Sequence, residues 1–232
     1  MHPGMCLASL FAVSLVSATS ASATPFFFST GNPDGRMAMA SRPDSTGGKF
    51  EIESADDFVL TKETSLTSAT FTGLLTGDTI VSAIRVEIYR VFPFDSNTAR
   101  TPTVPTRGNS PSDVAIAERD SIVAGMLSFS IELLASTFTA NNSIQPGGIH
   151  PSPNQTTGGN GSITGQEVQF DVTFGTALDL LAGHYFFVPQ VEMVDAGEFY
   201  WLSAPRPIGA PGTPFPPGLT ADKTGSPSFQ LA

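Results

Sequence analysis

One cysteine occurs in 232 residues, Cys6, so the chain can close no internal disulfide. Cys6 stands at the start of an apolar run rather than after it, where a lipidated cysteine would sit, and this argues against a lipoprotein anchor. Cations are also scarce. Eleven Lys and Arg face 21 Asp and Glu, a formal net charge of −10. Such a surface disfavours nucleic acid and anionic lipid, both of which need clustered Lys and Arg. Neutral ligands, cations and proteins remain. There is one tryptophan and there are three tyrosines, which limits the aromatic platforms available for sugars. Only 14% of residues are charged, whereas Gly and Pro number 22 and 19. Long surface helices are therefore not expected, and many strands joined by turns fit better. No Gly-x-Ser-x-Gly elbow, His-Glu-x-x-His helix or phosphate-cradling Gly/Lys loop occurs.

The apolar run, Met5 to Val16, is followed by a Ser/Ala/Thr stretch ending in Ala21-Ser22-Ala23. This is the layout of a cleaved signal peptide over residues 1–23, and it predicts a secreted or envelope-associated protein. The run is shorter than the roughly 20 residues that span a bilayer as a helix, and no later stretch is longer, so no transmembrane anchor is expected. With Cys6 removed, thiol catalysis is excluded. About 209 residues remain from Thr24, the size of one sandwich or barrel domain.

Period-two alternation dominates that domain. Val168, Phe170, Val172 and Phe174 share one face, as do Leu127, Phe129, Ile131 and Leu133, and Ile84, Val86 and Ile88. Each set predicts a strand with one buried face, and Arg85 and Glu87 are expected to face water. Weaker strands are read over 49–54, 57–61, 66–75, 185–194 and 198–203. Pro189 is expected at an edge or bulge. Residues 176–181 are the one helical candidate, a turn long. The fold expected is an all-β, jelly-roll-like antiparallel sandwich over 24–204, with long loops at 101–113 and 145–165. From 204 to 218 six prolines make an extended segment, so 205–232 reads as a Pro/Gly-rich extension. The thin ending after it suggests a chain truncated relative to longer proteins.

The most unusual local feature is the acidic stretch Glu51-Ile52-Glu53-Ser54-Ala55-Asp56-Asp57. Hard oxygen ligands this close suit calcium, which makes Glu53, Asp56 and Asp57 candidate ligands, with the Asn32–Gly35 turn as a possible contributor. The competing reading is that the aspartates bond backbone N–H groups at a turn while the glutamates are solvated. Tyr200 and Trp201 are candidate ligand-binding rings, one of them expected in the core and the other as a platform for polysaccharide. His184 is expected to pack its ring at a strand edge rather than act as a base. Paired carboxylates could serve a carbohydrate-active hydrolase, and the acidic residues offer many pairs.

Ser54-Ala55-Asp56-Asp57-Phe58-Val59-Leu60, followed by Ser65 to Gly73, resembles a pattern in uncharacterised bacterial secreted proteins. In these an "ADDF" strand precedes a strand of the form hydrophobic-Thr-x-hydrophobic-x-aromatic-x-Gly. Residues 28–35, 86–92, 154–159 and 185–190 resemble the same group. Many of those proteins carry a Pro-Glu-Pro sorting tail (PEP-CTERM), which is missing here. The resemblance implies a β-sandwich in the envelope or matrix and brings no catalytic residues with it. The function expected is a non-enzymatic binding or structural module for polysaccharide or a cell-surface protein. The alternative is the carboxylate hydrolase.

Overall fold

The computed structural model describes residues 26–44, 48–77, 80–99, 109–146, 159–194, 196–205, 226–227 and 229–232. The segment read as a signal peptide and most of the proline-rich stretch lie outside these. Strands follow one another without an α-helix among the described residues: β1 (Phe28–Ser29), β2 (Met37–Ala40), β3 (Asp56–Leu60), β4 (Thr64–Thr76), β5 (Val81–Arg90), β6 (Ala117–Asp120), β7 (Leu127–Ala140), β8 (Asn142–Ile144), β9 (Ile163–Leu180), β10 (Gly183–Met193), β11 (Glu198–Ala204), β12 (Ser226–Pro227) and β13 (Phe229–Leu231). No helix among them is long and apolar enough to cross a membrane.

Two sheets form, as the alternation predicts. The smaller has the order β3-β10-β5-β6 and is wholly antiparallel. The larger is built around β4. One edge of β4 takes β9, which carries β7 outside it. Along its other edge β13 and β11 lie end to end, and β2 and then β8 continue from β11. The β2–β8 pair is parallel.

Alternation identifies the core correctly on the long strands. Val168, Phe170, Val172 and Phe174 on β9 and Ile84, Val86 and Ile88 on β5 are buried in one cluster between the sheets. Phenylalanines fill much of it. Phe71 and Phe170 stack at 5.0 Å, Phe199 meets Phe170 edge-on at 5.5 Å, and Trp201 meets Phe187 of the other sheet edge-on at 5.9 Å. A second, smaller cluster joins Ala38, Ala40, Leu74, Ala140, Tyr200 and Leu202, contributed by β2, β4, β7 and β11. The larger sheet therefore curls until β7 runs directly into β8, and the curl encloses this cluster. β11 is consequently buried on both faces.

Several sequence expectations are corrected. Residues 176–181 form no helical turn, because Leu178 and Leu180 are buried as β9 continues against Thr64–Leu66. Residues 49–54 form only one bridge, Arg42 to Ile52. Pro189 sits within β10, beyond the end of β3, where its missing N–H breaks no ladder and its carbonyl accepts from Ser41 Oγ at 2.7 Å. The segment set apart as an extension supplies β13, which pairs with β1 and β4; Leu231 is buried, and Ala232 O accepts from the Thr67 and Ser68 amides. The sandwich therefore runs to the last residue rather than ending at 204.

β7 departs furthest from its expected burial. Phe129, Ile131 and Leu133 lie opposite Val172, Phe170 and Val168 and so share the core-facing side of the sheet. Yet Ile131 and Leu133 are 41% and 56% exposed. The narrower sheet stops short of them, leaving an overhanging apolar shelf.

Gly73 marks a close approach within the core. A Cβ there would lie 2.2 Å from the Phe199 ring and 2.6 Å from Tyr200 O. Gly73→Ala is therefore expected to destabilise the protein by at least about 1–3 kcal/mol, read as a lower urea midpoint at unchanged slope.

Candidate functional site

The outer face of the smaller sheet gathers the acidic groups. Arg85 and Glu87 project from β5 on this face, beside Glu118 and Asp120 of β6. Residues 49–54 cross over it. Their course is fixed by Ile52, which exchanges two backbone hydrogen bonds with Arg42 and buries its side chain in the smaller cluster. Ser54 is held through its Oγ to Ala40 O at 2.8 Å, and Ser41 Oγ ties the same corner to β10. With Ile52 turned inward, Glu51 and Glu53 turn outward over β5.

There Glu51, Glu53 and Glu87 each bring a carboxylate oxygen within 4.8 Å of the others. The Tyr89 hydroxyl donates to Glu53 Oε1 and lies 2.9 Å from Glu87 Oε2. A phenol has one proton, so it cannot donate to both carboxylates at once. Glu87 is 7% exposed, against the expectation that it faces water, because residues 49–54 cover it. Burial, opposed by the Tyr89 hydrogen bond but reinforced by Glu53, pushes its carboxyl up to about 7. Burial and the bond to Glu53 push the Tyr89 phenol far up as well, so it stays protonated. Gln190 of β10, fully buried, donates from Nε2 to Glu51 Oε1 at 3.0 Å, while its Oε1 has no partner. Arg85 lies 3.0 Å from Asp120, 3.4 Å from Glu118, and 3.7 Å from both Glu51 and Asp44.

Of the calcium ligands read from the sequence, only Glu53 belongs to this group, joined by Glu51 of the same acidic stretch. Asp56 and Asp57 are buried, and as successive strand residues they point to opposite faces of β3. Asp57 accepts a hydrogen bond at 2.6 Å from His184 Nε2, whose ring stacks on Phe186, and a longer one from Asn109. The two aspartates are thus parted from each other and from Glu53. Asp34, in the Asn32–Gly35 turn, is engaged by Ser203 Oγ and the Arg36 amide. Tyr200 and Trp201 are 5% and 0% exposed, so neither presents a face to a sugar. The curl of the larger sheet covers Tyr200 and the opposing sheet covers Trp201. Burial also pushes the Tyr200 phenol up to about 12. The loop residues 101–108 and 147–158 lie outside the described residues. Sequence reasoning offered Glu87 only as one of many acidic residues that could pair, and missed Gln190 as a member of the site. Their only signal was a charged or amide residue on a strand face that was taken to be solvated.

A pH dependence follows for metal-free protein. Glu87 holds its proton more tightly folded (about 7) than unfolded (4.5). Its contribution is complete below about pH 4.5 and is lost as pH rises through 7. The groups facing it are Glu51 and Glu53 above, Glu118 and Asp120 on β6, Gln190 on β10, and Arg85 and Tyr89 on its own strand. Between pH 5 and 8 in chelator, Glu87→Gln is expected to remove about 1–3 kcal/mol of the wild-type decline, measured by urea unfolding at each pH.

No family model, curated protein or solved structure matches the chain.

Proposed function

We propose that this chain is an exported, non-enzymatic β-sandwich of the cell envelope or matrix that works by protein association, with a second copy of itself as the partner at β7. The observation that carries this reading is the overhanging shelf. Leu127–Leu133 is the regular part of a strand paired only to β9 among the described residues, and it exposes Ile131 and Leu133. Edge strands are commonly blunted by Lys, Pro or a bulge. This stretch has none of these, and its bulges begin only after Leu133. Its one charge is Glu132. A twofold axis at Ile131 pairs two copies antiparallel, sets Glu132 against Ser130 rather than another Glu132, and joins the apolar residues into one strip.

Aliphatic side chains suit a protein strand better than a polysaccharide, which would call on exposed aromatic rings. The signal-like N-terminus and the resemblance to exported sandwich proteins support the location. The hydrolase alternative is less well supported. Glu53 and Glu87 approach the same phenol oxygen, which occupies the place that a glycosidic bond would need between acid and nucleophile.

Sedimentation across a concentration series tests the reading. The wild type is expected to form dimers at micromolar concentration, and Ile131→Lys with Leu133→Lys to be monomeric. The melting temperature of the variant monomer should change little, since exposed substitutions usually alter stability by less than about 0.5 kcal/mol. A monomeric wild type at all concentrations would refute self-association.

A further inference from the structure

We propose that Glu51, Glu53 and Glu87, with the Tyr89 hydroxyl and, after a half-turn of its amide, the Gln190 side-chain oxygen, form a binding site for one divalent cation of the calcium type. Four oxygens from two segments converge here, two carboxylates from the crossing segment and a carboxylate and a phenol from β5, and the Gln190 amide of β10 reaches Glu51 through its Nε2.

Two observations beyond the acidic cluster point to a cation. The first is Gln190, a fully buried amide that turns its Nε2 to Glu51 and leaves its oxygen without a hydrogen-bond donor; a half-turn of the amide exchanges the two and brings that oxygen to the carboxylates. A buried carbonyl oxygen in that state needs a positive partner. The second is the proton count. When both carboxylates are ionised, Tyr89 supplies one proton to the two of them, so the pair carries an unmatched acceptor contact that a metal ion would turn into shared ligation. Arg85 does not neutralise the group, because its guanidinium is spread over Asp120 and Glu118 as well as Glu51.

The donor set selects the ion. Oxygen alone, without imidazole or thiolate, favours hard cations over zinc or copper. Calcium accepts irregular shells of six to eight oxygens, whereas magnesium demands a near-octahedral one. Glu87 forms the floor, and the exposed carboxylates of Glu51 and Glu53 leave an open side where water completes the shell. This is a different place from Asp56 and Asp57, which are held in other contacts.

Terbium(III) reports on the site directly, since a phenol beside the ion sensitises its emission. With the full-length chain, excitation of tyrosine is expected to give terbium emission that saturates at one equivalent and that excess calcium displaces. Calcium at a hundredfold excess over its dissociation constant should raise the melting temperature by about 5–10 °C. Glu87→Gln and Glu53→Gln should each weaken calcium at least tenfold relative to Glu63→Gln, a change at an exposed carboxylate in the turn between β3 and β4. Glu53→Gln alters an exposed side chain, so it keeps the comparison informative should Glu87→Gln fold poorly. In chelator, Glu87→Gln should melt no lower than wild type at pH 8, because it removes a buried charge. A smaller difference from Glu63→Gln, or no saturable binding, overturns the site and leaves a shared proton between Glu53, Tyr89 and Glu87.

Discussion

The contact on which the rest of the fold depends is the aromatic seam between the sheets. Trp201 reaches from β11 to Phe187 on β10, and Phe71, Phe170 and Phe199 form a second set of stacked and edge-on rings beside it. A chain with a single cysteine has no internal cross-link to restrict its unfolded state, so burial must supply the stability. Large rings bury the most area per residue and favour offset and edge-on arrangements. That demand sets the backbone around them. Gly73 lacks a side chain because the Phe199 ring and the β11 backbone occupy its place. The motif glycine after Phe71 is thus explained by packing rather than by turn geometry.

Legibility in the sequence followed the range of the interactions. Where one face of a strand meets a facing sheet along its whole length, alternation named the buried residues, as on β9 and β5. Alternation reports which side chains share a face, but not whether anything lies opposite. β7 shows the difference: Leu127 is buried, while Ile131 and Leu133, on the same face, overhang the narrower sheet. Local propensity failed in the same way at 176–181, where Ala177, Leu178 and Leu180 favour helix in isolation. Pairing with Thr64–Leu66, more than a hundred residues away in sequence, holds them extended. The proline-rich run read as the end of the domain, yet the chain returns after it to complete the edge of β4.

The acidic site was half legible for a related reason. Glu51 and Glu53 stood out because they are close in sequence, but their partners Glu87, Tyr89 and Gln190 come from two distant strands. Register brings those strands together: Val188 lies opposite Glu87 and Gln190 opposite Arg85. The consecutive aspartates drew attention by adjacency, yet adjacency on a strand sends side chains to opposite faces. Tyr200 and Trp201 met the same rule, and both landed in a core because the larger sheet curls around one of them.

Residues 41–44 and 48–54 connect these two halves of the molecule. Ser41, Arg42, Ile52 and Ser54 fasten the segment to the smaller core and to β10, while Arg42 extends to Glu198 at the start of β11. The same segment carries Glu51 and Glu53 over the buried Glu87. Its inner side therefore adds apolar burial and hydrogen bonds, and its outer side adds repulsion among carboxylates. Without a positive partner the two sides oppose each other, and the repulsion grows as Glu87 loses its proton. A divalent ion shared by the three glutamates reverses the sign of the outer contribution, so both sides then press the segment onto the sheet. In a chain with net charge −10 and no disulfide, the proposed cation site would make the ions of the surrounding medium part of what holds the fold together.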